Sequence, residues 1–117
     1  MYLDEIRTYC LAKPETVEDL PFDEDTLVFK VVGKIFLLTS ISDCTSINVK
    51  CAPEYALQLR EEYTEIQPGY HMNKKMWNTV SLTGNLTWQF LQTLIDHSYQ
   101  EVVKGLKKAD RERLLAG

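Results

Sequence analysis

Two β-rich runs, Leu27-Val28-Phe29-Lys30-Val31-Val32 and Ile35-Phe36-Leu37-Leu38-Thr39-Ser40-Ile41, stand on either side of Gly33-Lys34. Two residues are too few for anything but a tight reversal, and glycine accepts the positive φ that such a turn demands. The pair predicts an antiparallel hairpin, and everything else in the chain has to pack around it. Residues 46–51 extend the sheet. Ile47, Val49 and Cys51 alternate with Ser46, Asn48 and Lys50, as in a strand with one buried and one polar face. Met76, Asn78, Val80 and Leu82 alternate in the same way with Trp77, Thr79 and Ser81, which predicts a fourth strand.

Helical spacing supplies the rest. Residues 2–12 place Tyr2, Leu3, Ile6, Tyr9 and Cys10 on one side, and Pro14 ends the run. Pro53 suits the first turn of a helix reaching Tyr63, with Ala56, Leu59 and Tyr63 on its apolar stripe and Arg60 facing water. Thr87 is placed to cap the longest helix, from Trp88 to about Gly105, whose stripe holds Leu91, Ile95, Tyr99 and Val102. Residues 107–115 read as a short polar helix that packs weakly, residues 15–25 as an acidic loop, and 67–70 as a Pro-Gly turn. At 117 residues with no internal repeat, the prediction is a single α+β domain over residues 1–117. It has an antiparallel sheet of four or more strands with the terminal helices packed on one face.

The totals exclude several classes. No apolar run approaches the length of a membrane span, and the N-terminus lacks the basic and apolar segments of a secretory signal. Cys10, Cys44 and Cys51 are odd in number and lack C-x-x-C spacing, so neither a disulfide framework nor a zinc site is expected. A cytoplasmic monomer without a metal, a cofactor or a membrane partner is the expectation. No nucleophile elbow, phosphate loop or metalloprotease helix is present, and nothing in the sequence lowers the Cys51 thiol pKa for a pairing with His71. His97 reads as a packing residue. The protein is expected not to be an enzyme.

Net charge is −4, yet it is unevenly spread. The first 25 residues hold eight acids against two bases, whereas Lys30, Lys34 and Lys50 are opposed only by Asp43 across residues 26–53. Between Glu65 and Asp96 the only charged side chains are Lys74 and Lys75. An acidic protein can carry a basic face in this way. Residues 68–80 concentrate the suitable chemistry: Lys74 and Lys75 for phosphates, Asn73 and Asn78 for hydrogen bonding, and Tyr70, His71 or Trp77 for stacking. Two other readings stay open. The carboxylates of residues 15–25 could hold a cation through oxygen, although they lack the calcium-loop pattern. Trp77 and Tyr70 could anchor a protein partner.

The runs Thr26-Leu27-Val28-Phe29-Lys30-Val31, Ile47-Asn48-Val49-Lys50-Cys51, Pro68-Gly69-Tyr70-His71-Met72-Asn73-Lys74-Lys75 with Trp77-Asn78-Thr79-Val80, and Leu94-Ile95-Asp96-His97-Ser98-Tyr99 resemble the MmcQ/YjbR family. The likeness covers nearly the whole chain in the same order. It implies a frataxin/CyaY-like fold and DNA binding through a double-wing motif, in which strands and their loops project towards the duplex. Carried over by position, the DNA-binding candidates are Lys50, His71, Asn73, Lys74, Lys75 and Asn78, with Lys30 and Lys34 on the hairpin. The implied contacts are mainly to the phosphate backbone, modest in affinity and sensitive to salt.

Overall fold

The computed structural model describes residues 2–69 and 72–116. Its centre is the predicted hairpin, β2 (Thr26–Val31) and β3 (Lys34–Ser40). β1 (Thr16–Asp19) precedes it, and β4 (Ser46–Lys50), β5 (Ile66–Pro68) and β6 (Trp77–Ser81) follow. They form one six-stranded sheet in the order β1-β2-β3-β4-β6-β5, with every neighbouring pair antiparallel. The helices are α1 (Tyr2–Leu11), α2 (Pro53–Glu62), α3 (Trp88–Lys104) and α4 (Lys108–Ala116).

The hairpin turn falls one residue earlier than the sequence predicts. Val31 pairs with Lys34, so the connecting residues are Val32 and Gly33, with φ of +48° and +78°. Positive φ at both positions matches the right-handed twist of the strands. Glycine adopts it freely, whereas a β-branched valine is strained there. Its half-buried side chain packs against the core.

One irregularity shapes the middle of the sheet. Phe29 pairs with Leu37 but Lys30 pairs with Ile35, so Phe36 is an extra residue, a bulge. Phe36 and Leu37 therefore both turn towards the helices, and both are fully buried. The Ser98 hydroxyl of α3 donates to the Phe36 carbonyl, and the Tyr99 ring meets the Phe36 ring edge-on at 5.3 Å.

The first three helices lie on one face. Their buried side chains, among them Ile6, Cys10, Ala56, Leu59, Leu91 and Ile95, join Leu27, Phe29, Leu37, Ile47, Val49, Ile66 and Val80 in a single cluster. Each large apolar side chain among them contributes about 1.5–3 kcal/mol, which is why α2 joins the terminal helices instead of crossing to the other face. That other face is left with Asn48, Lys50, Thr79 and Trp77 from the ladder positions between. Thr87 caps α3 as predicted, its hydroxyl accepting from Phe90 N at 3.1 Å.

Two predicted non-strands are strands. Residues 16–19, read as part of an acidic loop, pair with β2, and the Arg7 guanidinium forks onto Glu18 at 2.8 and 2.7 Å. β1 carries only one apolar side chain because an edge strand needs backbone partners more than burial. Ile66–Pro68, predicted to enter a turn, lies along β6 at the opposite edge. Proline is tolerated there because an edge strand leaves half of its amides unpaired. The polar tail is a helix held at its end, with Arg113 forked onto Glu15 at 2.7 Å through two nitrogens. No helix among the described residues is long and apolar enough to cross a membrane.

Candidate functional site

Strand directions decide which loops meet. β2 and β4 run towards one end of the sheet, and β3 and β6 start from it. The Val32-Gly33 turn, the β4–α2 junction and the loop joining β5 to β6 therefore share this end. Lys34 and Lys50 line one cavity there together with Gly33, Ile35, Trp77, Val102 and Gly105. Its volume is about 500 Å³. Lys50 and Trp77 are direct cross-strand partners, which places their side chains side by side on the open face.

Lys50 sits in a well-determined backbone. Its amide donates to Ser98 Oγ at 2.8 Å, the Cys51 amide to the Met76 carbonyl at 2.7 Å, and the Ala52 amide to His97 Nε2 at 3.1 Å. Three successive amides that leave the sheet are thus satisfied by α3 and by the β5–β6 loop. Because Nε2 accepts, His97 is neutral with its proton on Nδ1. Burial beneath Tyr55, whose ring meets the imidazole at 4.9 Å, holds its pKa below the usual histidine value.

The loop from Gly69 to Met76 closes on a narrow neck. Gly69 N donates to the Trp77 carbonyl at 2.9 Å, and a Cβ on Gly69 would lie 3.0 Å from Trp77 Cβ. That is tighter than ordinary van der Waals contact, so any larger residue would push the two strands apart by a few tenths of an ångström. Asn73 Oδ1 accepts from Lys75 N at 2.9 Å, an Asx turn that sets the lysine pair at the tip. Arg60 then staples the loop to α2. Its Nε donates to Asn78 Oδ1 at 2.7 Å, and its Nη2 to the carbonyls of Lys74 and of Trp77, the latter at 3.2 Å.

The eight candidates thus separate. Lys34 and Lys50 come together in the cavity, and Asn73, Lys74 and Lys75 are exposed on the neighbouring loop. Lys30 lies on the open face, but its ammonium is 3.0 Å from Asp19 and so is largely offset. His71 lies outside the described residues, as does Tyr70. Asn78 is corrected outright. Its side chain is 1% exposed on the helix-facing side, so its amide braces Arg60 and does not reach the surface. The alternation of Asn78 with Val80 and Leu82 already carried that signal.

The structure also gives work to residues that the sequence left idle. Arg60, read as water-facing, is the staple, and Ser98 and His97 hold the junction behind Lys50. No local pattern announces these contacts, since their partners lie 18 to 48 residues away. Five of the six carboxylates in the acidic segment, all but Glu24, are committed internally. Glu15 holds Arg113, Glu18 holds Arg7, Asp19 holds Lys30, and Asp23 accepts from the amides of Asp25 and Thr26. Asp25 accepts from Ser40 and from the Ser42 amide. Among the described residues no group of three or more His, Cys, Asp or Glu side chains is placed to hold a metal ion. Burial pushes the Cys10 and Cys51 thiols up to about 12 and about 11, away from thiolate chemistry.

The model of the YjbR family matches residues 11–101. The chain belongs to the YjbR family. It is 41% identical to the Escherichia coli O157:H7 protein YbdF over 98 residues, 83% of this chain and 80% of the relative. It is 31% identical to YjbR of Escherichia coli K12 over 116 residues, 98% of each chain. A Deinococcus radiodurans crystal structure with a DUF419 domain superposes with a TM-score of 0.89 at 39% identity, covering 96% of this chain and 86% of its own. A Pseudomonas syringae crystal structure superposes with a TM-score of 0.72 at 30% identity, covering 86% and 98%. For this YjbR-family protein the expected family membership and the α+β fold therefore hold.

Proposed function

We propose that this YjbR-family protein is a non-enzymatic DNA-binding protein that grips the phosphate backbone through the lysine-bearing end of its sheet. The observation that carries the reading is the convergence of Lys34 and Lys50, from two different strands, on one cavity beside the loop of Lys74 and Lys75. Gly33 of the hairpin turn and Trp77, where the β5–β6 loop enters β6, both line it, and two loops meeting at one site support the double-wing reading. Five of the six carboxylates of residues 15–25, all but Glu24, are engaged by Arg7, Lys30, Arg113, backbone amides or hydroxyls, which leaves the cavity lysines without a direct acidic partner from them. Four lysines make a modest field, and binding is accordingly weak at physiological salt.

Titration of a duplex at several salt concentrations tests the proposal. The K34Q/K50Q variant should flatten the dependence of log affinity on log salt by about 1.8, at roughly 0.9 for each phosphate contact. Wild-type affinity that ignores salt, or no binding at low salt, would sink it.

A further inference from the structure

We propose that the cavity between Lys34, Lys50 and Trp77 takes one nucleotide at the phosphorylated end of a DNA strand, its phosphate between the two ammonium groups and its base against the indole. The inference rests on the DNA-binding reading and adds which DNA the site selects. Its starting point is shape. The cavity is a concavity of about 500 Å³, within the range of small-ligand sites, whereas a continuous duplex backbone is convex. Trp77 makes the second point. Its ring is half-buried in the cavity wall directly beside Lys50, and a stacking surface finds no partner in an intact duplex, where the bases already stack on one another. A strand end offers an unstacked base and a phosphate of higher charge together.

Charge favours the same occupant. The C-terminal turn of α3 contributes Val102 and Gly105 to the wall, and its carbonyls carry a partial charge of about −0.5. Two lysines outweigh it. Ile35 and Val102 supply apolar wall against which a base edge can lie. The site also ends after one nucleotide. The next groove along the open face is lined by Phe22, Leu38, Ser40, Asn48 and Met72 among others, with no lysine or arginine in its described lining. Its Ser40 hydroxyl is bonded to Asp25, so a second phosphate meets an acidic neighbour instead of a cation.

Tryptophan emission reads the proposal. Trp88 is half-buried and meets the Tyr9 ring edge-on at 5.8 Å, and the W88F variant leaves Trp77 as the sole tryptophan. In that background, 5′-phosphorylated octathymidylate should quench Trp77 and bind about tenfold more tightly than the 5′-hydroxyl form, on the scale of one added charge-assisted contact. The K34Q/K50Q variant should erase this preference. W77L should lose about tenfold in affinity for the phosphorylated oligonucleotide, while W77F, which keeps an aromatic face, should lose only a few-fold. Thymidine 5′-monophosphate that binds as tightly as the oligonucleotide overturns the assignment to a strand end. Closed-circular duplex that quenches Trp77 as strongly, or equal affinity for the two oligonucleotides, overturns the inference while leaving DNA binding in place. Failure of every DNA to bind at low salt removes both.

Discussion

Replacing Arg60 by alanine should cost far more than the loss of a helix-surface charge. Its guanidinium reaches three acceptors: Asn78 Oδ1 at 2.7 Å, the Trp77 carbonyl at 3.2 Å and the Lys74 carbonyl. The Trp77 carbonyl keeps the Gly69 amide as a partner, so its loss is small. Asn78 is the expensive one. It is 1% exposed, and an orphaned buried acceptor costs about 1–3 kcal/mol on top of the lost bond to a charged donor. Half-exposure of Arg60 discounts the remaining two bonds. The total is about 2–4 kcal/mol, or a fall in Tm on the order of 10 °C for a domain of this size. Thermal and urea unfolding measure it. R60K should lie between, because an ammonium cannot span three acceptors in the guanidinium plane. The decisive comparison is R60A/N78V, which removes both partners and should recover part of the R60A loss. An R60A cost below about 0.5 kcal/mol, or an N78V effect identical in both backgrounds, would refute the account of the loop as stapled.

Two further outcomes follow from local geometry. At the hairpin turn, V32N should raise stability by up to about 1 kcal/mol in urea unfolding, since asparagine accepts the positive φ that strains valine. Its lost contact with the core limits the gain, and a net loss would mean that packing outweighs strain. For His97, the pKa in the fold is depressed, chiefly by burial, while the unfolded chain protonates near the ordinary 6.5. The unfolded state therefore binds the proton first. Its contribution to stability is full above about pH 6.5 and declines as pH falls below it, with Glu101 opposing and Lys104 assisting the depression. Denaturant midpoints from pH 8 to 5.5 should show this decline in the wild type and lose it in H97Q.

Much of this protein is determined by its sequence, because the determining signals are local. The hairpin follows from two β-rich runs and a glycine, the three long helices from spacing, caps and prolines, and the face of each central strand from simple alternation. The charge pattern likewise isolated Lys34, Lys50, Lys74 and Lys75. The edge strands β1 and β5 escaped, since an edge strand is defined by a neighbour's unpaired amides and needs few apolar residues of its own. What only the tertiary structure decided is which side chains meet. Strand polarity brought Lys34 and Lys50 to the same end of the sheet, and a one-residue bulge turned Phe36 inward. Long-range packing made Arg60 and Asn78 an internal pair and Asp19 the partner of Lys30. A residue's type sets the chemistry available to it. Its neighbours, brought close by chain segments far apart in sequence, set whether that chemistry is spent inside the fold or left for a partner.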